Sequence, residues 1–305
     1  MADVAFARHP DLIRRLEAHA RAVRIATVTM AHHGKTPHVG SALSCVDLLV
    51  ALYFHAMRID PHATGGDEDR FVLSKGHGCM AYYATLAERG YFPRDWLATY
   101  AQNGAVLAEH PSPLCVPGID VATGSLGHGL GIAAGAAVGR NLNGRPGRVF
   151  VLLSDGECNE GSVWEAAMFA AGRRLDQLVA IVDHNKLQAM GRCDDITALT
   201  PLADKWRAFG WDVREVDGHD MGALVATLEG LPFTMGRPSA IIAHTVKGKG
   251  VSFMGTTPSG TIGRRTTTTW RGRCARSVAD GYAQRLHPSA HRRRGERSAD
   301  RLHHR

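Results

Sequence analysis

The sequence predicts an α/β domain, a parallel sheet flanked by helices. Three observations predict it. Apolar runs of strand length alternate with segments of helical periodicity. The strongest runs, RVFVLLS (148–154) and LVAIVDH (178–184), are almost wholly apolar, as strands covered on both faces must be. Each predicted strand then runs out into a stretch rich in glycine and polar residues, where parallel sheets bind their ligands.

The elements follow in order. Residues 11–30, DLIRRLEAHARAVRIATVTM, read as a helix with Asp11 near its start. SCVDLLVALYFHAM (44–57) reads as a second, largely buried helix. FVLS (71–74) is a short strand, followed by a Gly-His-Gly turn and a helix through Glu88. TGSLGHGLGIAAGAAVG (123–139) becomes a helix whose small residues permit close packing. Strand 148–154, helix 160–173 and strand 178–184 form a strand–helix–strand unit. Strand 211–216, a helix at 220–230 and strand 239–245 continue the alternation.

The chain has 305 residues, 44% hydrophobic and 21% charged, which excludes a wholly disordered or collagen-like polymer. No stretch approaches the roughly 20 apolar residues of a membrane span, and MADVAFARHPDLIRR lacks the apolar segment of a signal peptide. The six cysteines (45, 79, 115, 158, 193, 274) form no CxxC pair. Reduced thiols in a cytoplasmic protein that meets no membrane are the expectation. The net charge of +7 is uneven. Residues 255–305 hold 12 arginines against 3 acidic residues, a net +9, which leaves −2 for residues 1–254. That tail has charge for phosphate but no nucleic-acid fold motif or interleaved aromatics, so no nucleic-acid partner is expected.

The chemistry lies at the strand ends. Ser154-Asp155-Gly156-Glu157-Cys158-Asn159-Glu160-Gly161 follows one buried strand, and Asp183-His184-Asn185-Lys186-Leu187 ends the next. The intervening helix lets both reach the same sheet edge. A carboxylate, an amide oxygen and a backbone carbonyl are hard donors suited to Mg²⁺, which takes its remaining ligands from water and phosphate. Gly156 lets the backbone approach a phosphate, and the following helix N-terminus favours negative charge.

This pair resembles the thiamine diphosphate motif GDG…N. The longer run DGECNEGSVWEAAMFAAG…LVAIVDHNKLQAMG resembles the N-terminal part of transketolases, most of all the stand-alone N-terminal subunits of split ones, over roughly residues 10–254. The resemblance implies a thiamine diphosphate-binding fold with thiamine diphosphate and Mg²⁺ as cofactors. It implies Asp155, Asn185 and the Leu187 carbonyl as metal ligands, Gly156 as a diphosphate contact and Glu160 as an interface residue coupling paired active sites. Ser154 stands where the family usually has a glycine, so its hydroxyl needs a partner. His38 in KTPHVGS, His77 in FVLSKGHG and His110 in AEHPS match family histidines and become the candidate catalytic residues; His77 matches one that touches the cofactor. Imidazoles suit sugar hydroxyls that lose and regain protons near neutral pH. Ser41, Lys75 and the turn Gly124-Ser125-Leu126 are implied at the cofactor. His244 in HTVKGKG replaces the family's usual lysine there, and Lys247 and Lys249 are available for anions. The implied reaction transfers a two-carbon ketol unit from a ketose to an aldose phosphate; the alternatives are another thiamine diphosphate-dependent transferase or dehydrogenase component, or an inactive frameshifted remnant. The pyrimidine-binding domain must come from a C-terminal partner subunit, in a dimer of heterodimers.

The resemblance stops after Met254. The family continues with an acidic residue, a WHGxAP segment and an acidic helix; this chain reads GTTPSGTIGRRTTTTWRGRCARS. Starting each codon at the third base of the old one, residues 255–269 can encode HDAKWHHRAPDDDDL. WHHRAP then falls where WHGxAP belongs, and four consecutive threonines become aspartates. We therefore expect a diphosphate-binding domain at 1–254 and a poorly ordered, Arg-rich tail at 255–305 produced by a shift of frame near codon 255.

Overall fold

The computed structural model describes residues 9–62, 66–113 and 116–254; the expected tail at 255–305 lies outside them. Five parallel strands form one sheet: β1 (Arg70–Leu73), β2 (Val149–Ser154), β3 (Leu178–His184), β4 (Asp212–Asp217) and β5 (Ser239–His244). Their spatial order is β1-β2-β3-β5-β4, so the last of the described strands inserts between its two predecessors.

The period-two alternation of a strand divides the core in two. Phe150 and Leu152, Val179 and Ile181, and Ile241 and Ala243 face one layer. Within it pack α1 (Pro10–Gly34), α2 (Val39–Ser44), α3 (Val46–Ala51), α4 (Cys79–Arg89) and α9, which is Met221–Glu229. Val149, Val151 and Leu153, Ala180 and Val182, and Ala240 and Ile242 face the other. That layer holds α5 (Gly129–Leu142), α6 (Gly161–Gly172), α7 (Cys193–Ile196) and α8 (Leu202–Ala208). β2 is buried along its whole length, which accounts for its unbroken apolar sequence.

Three local outcomes differ from the expectations. The single helix expected over 44–57 is divided: α2 ends at Ser44, α3 begins at Val46, and the chain closes in a π-turn at Leu52–Ala56. Residues 123–128 do not join α5. Gly124 and Gly127 have φ of +153° and +88°, incompatible with a helix, and this stretch forms a turn at the sheet edge. The short α7 and α8 fall between the expected elements. α8 owes its place to tertiary packing, with Trp206 buried against Trp164 and Trp211.

Candidate functional site

The register pairs Ser154 with Asp183 and His184 with His244, so the loops after β2, β3 and β5 emerge side by side. Asp155 is buried. Its Oδ1 accepts the Gly156 amide at 2.8 Å, and its Oδ2 accepts the Lys186 amide and lies 3.3 Å from His184 Nδ1. Asn185 Oδ1 accepts the Leu187 amide at 3.1 Å. Lys186, between them, has φ +68°, which turns the loop back towards Asp155. The structure thus brings together Asp155, Asn185 and Leu187. The Leu187 carbonyl accepts Lys247 Nζ at 3.0 Å, so a cation already faces one member of this oxygen set.

The donor set, one carboxylate, one amide and one carbonyl, is of the kind that suits a hard divalent cation. A Cβ on Gly156 would lie 2.8 Å from Gln188 Cγ, so only glycine keeps the backbone open at this point.

Across the sheet edge stand the histidines. His38 and His77 have ring centroids 5.5 Å apart. His38 caps α2 with φ +72°, a left-handed conformation unusual for a side chain of this size. Burial lowers its pKa, and the nearby His110 ring lowers it further. Burial lowers that of His77 well below the ordinary value, helped by the Lys75 charge. His110 is exposed, and the Gly124 backbone packs on its ring. A Cβ on Gly76 would meet Gly124 N at 2.8 Å, so the His77 turn and the 124–126 turn are in contact. Ser125 is exposed and Leu126 half-buried at this rim. Ser41 is buried inside α2. Its carbonyl accepts Lys75 Nζ at 2.9 Å and Ser44 Oγ at 2.9 Å.

Lys75 is fully buried, with its ammonium paired to Asp183. Burial opposes both charges, but each partner outweighs it: Lys75 is shifted up and Asp183 down. Asp183 also accepts Ser44 Oγ at 2.6 Å and the Thr245 hydroxyl. His244 turns outward, with Nε2 3.0 Å from Glu215 Oε2 and its ring 5.3 Å from that of His184. Glu160 is exposed at the N-cap of α6, beside Gly127.

Sequence reasoning missed three groups. Glu157 is fully buried and ties the ends of β1 and β2 to the turn before α5, accepting from the Ser74 hydroxyl, from Gly127 N at 2.9 Å and from Ser154 N at 3.2 Å. Burial raises its pKa against those hydrogen bonds. In return Ser154 Oγ accepts the Glu157 amide at 3.3 Å, the partner its hydroxyl needed. Asp183 is the second, and its signal was an acid inside an apolar strand. The third is His219. Its Nδ1 lies 2.7 Å from Asp47, which also pairs with the buried Arg24. Its Nε2 accepts the Val246 amide at 2.8 Å, anchoring the loop after β5.

Comparison with known proteins gives one family. Residues 15–261 match the model described as transketolase, thiamine diphosphate binding domain. A 6-deoxy-6-sulfo-D-fructose transketolase subunit of Clostridium sp. (strain MSTE9) is 47% identical over 232 residues, covering 75% of this chain and 84% of the relative. An apulose-4-phosphate transketolase subunit of Phocaeicola vulgatus is 41% identical over 243 residues, covering 79% and 86%. Among solved structures, transketolase from Leishmania mexicana superposes with a TM-score of 0.73 at 29% identity, over 78% of this chain but only 37% of that one.

Proposed function

This chain belongs to the transketolase family, in its thiamine diphosphate-binding part, and from that premise we propose that it is the N-terminal subunit of a split transketolase, transferring a two-carbon ketol unit from a ketose to an aldose phosphate. The observation that carries the reading is the meeting of Asp155, Asn185 and the Leu187 carbonyl at one sheet edge, across from the neighbouring rings of His38 and His77.

In this reading Asp155, Asn185 and Leu187 hold Mg²⁺, and Gly156 admits the diphosphate. Thiamine diphosphate, when bound, supplies the electron sink that carbon–carbon cleavage requires. The protein does the rest. Gly124, Ser125 and Leu126 face the cofactor beside the His77 turn, Ser41 acts from within α2 through its carbonyl on Lys75, and His244, paired with Glu215, would have to turn inward to reach the cofactor. His38, His77 and His110 hold and move protons at the sugar hydroxyls. His38 and His77, with pKa values lowered by burial, are neutral at pH 7 and able to accept a proton. We assign Lys75 to positioning: its field reaches the site while its ammonium holds α2 through the Ser41 carbonyl. A ketose with an anionic terminus is the substrate class, in keeping with the names of the two relatives.

The partner is a C-terminal subunit carrying the pyrimidine-binding domain, in a dimer of heterodimers. Support comes from the relatives' names as subunits and from a surface suited to a second chain. Met168 and Phe169 are exposed on α6, one end of which carries Glu160, and Gly131, Gly135 and Gly139 leave open space along α5. A cytoplasmic location agrees with four buried free thiols, Cys45, Cys79, Cys158 and Cys193. No described helix is long and apolar enough to cross a membrane. We further propose that residues 1–254 are the functional domain and that 255–305 are read out of frame; the family match ends near this point, at 261.

The test is calorimetric titration with thiamine diphosphate, with and without Mg²⁺. Binding should require the cation and disappear in Asp155→Ala, which removes the proposed shell's only carboxylate. Undiminished cofactor affinity in that variant overturns the assignment.

A further inference from the structure

Lys247 sits on the loop after β5, which three contacts fix in place. Thr245 N donates to His184 O at 3.2 Å, Gly248 N donates to Gly40 O at 2.9 Å, and Val246 N donates to His219. Gly248 has φ +79°, and a Cβ there would fall 2.4 Å from that of Met254, so the turn admits no other residue without strain. The Lys247 side chain is buried and points back into the site. Its ammonium donates to Leu187 O at 3.0 Å and to Gln188 O at 3.4 Å. It makes no ion pair with a carboxylate among the described residues; burial and then the Lys75 charge disfavour the ammonium, against the pull of Asp155 and Asp183. A buried ammonium held by neutral carbonyls in the field of two carboxylates occupies a position with the charge requirements of a metal site.

We propose that Lys247 is a built-in placeholder cation, holding the Leu187 carbonyl until a divalent ion displaces it. The proposal rests on the assignment of Asp155, Asn185 and Leu187 to the metal. One carbonyl oxygen cannot serve an ammonium and a divalent ion without strong repulsion between them. Metal binding therefore requires Lys247 to leave, and its departure frees the loop after β5 from the 187–188 loop. The placeholder keeps the oxygen set assembled in the absence of metal, at the cost of affinity for the ion alone.

The probe is Mn²⁺ alone, titrated by electron paramagnetic resonance, with thermal melting of the metal-free chain as the second readout. Lys247→Met should bind Mn²⁺ about tenfold more tightly, the equivalent of losing one competing charge-assisted hydrogen bond. Metal-free K247M should melt below the parent, with the two converging at saturating Mn²⁺. K247R, which keeps a cation there, should bind as weakly as the parent. If K247M does not fold, K247Q takes its place with the same expectation at smaller size. Unchanged Mn²⁺ affinity in the neutral variants overturns the proposal. So does a result in which all chains bind Mn²⁺ equally and only together with thiamine diphosphate, although the functional reading then stands. If no chain binds Mn²⁺ even with thiamine diphosphate, the functional reading falls as well.

Discussion

At the scale of single residues, the costliest group is the buried pair of Lys75 and Asp183. Both side chains are fully buried. Lys75→Met leaves Asp183 facing only hydroxyls, and breaking a buried pair in this way costs about 3–5 kcal/mol. Urea denaturation should show that loss, and K75M/D183N should recover part of it; equal stability of K75M and the parent would show the pair to be dispensable. The histidines give a pH dependence of definite sign. Burial holds the folded pKa values of His38 and His77 below the unfolded value of about 6.5, so below that pH the unfolded chain takes up protons first. Their contribution is complete above about pH 6.5 and is lost as pH falls further. The urea midpoint should drop between pH 7.5 and 5.5, and His77→Gln should flatten the drop; a His77→Gln profile as steep as the parent's would count against it. Asp155 and Asn185 were legible as neighbours because each lies in a short motif at the end of an apolar run, whereas His38 and His110 follow no strand and were named from the family resemblance. Glu157 and Asp183 were not legible, because their role depends on which loops the sheet brings together.

At the scale of elements, the strands were legible and the helix ends were not. LVAIVDH became β3 without adjustment, because a run of apolar residues this short has few other ways to be buried on both sides. The small residues of 123–128 suit a helix equally well on paper, whereas positive φ at Gly124 and Gly127 makes the segment a turn against His110 and Glu160. The helix that remains, α5, lies beside α6, and together they expose apolar surface at Ile132, Met168 and Phe169. If this face meets a partner, Met168→Glu with Phe169→Glu should leave the melting temperature of the isolated chain within about 2 °C, since surface changes alter stability little. The same variant should abolish association with the C-terminal subunit in sedimentation. Wild-type association by the double variant would place the partner elsewhere.

At the scale of the whole molecule, the chain spans 37% of the Leishmania mexicana transketolase it resembles. Alone, it should show no ketol transfer; with a C-terminal subunit, activity should depend on the reading frame after Met254. Loss of one positioned donor costs ~10²–10³ in rate. A gene restored to the frame encoding WHHRAP should exceed the present sequence by at least that order in a coupled transketolase assay with the partner added. Equal turnover by both would show that the tail is a genuine variation.

The sheet order also has a consequence for how the protein is made. β5 is the last of the described strands to leave the ribosome, yet it is the one that inserts between β3 and β4, so β4 has no neighbour in the sheet until residues 239–244 have emerged. The contacts that fix the loop after it, Gly248 with Gly40 and Lys247 with Leu187, likewise involve no residue beyond Met254. Everything needed to complete the sheet has been synthesised before codon 255. A slip at that codon yields a nascent chain whose core can close normally, and cellular quality control, which detects exposed core rather than lost chemistry, has little to act on.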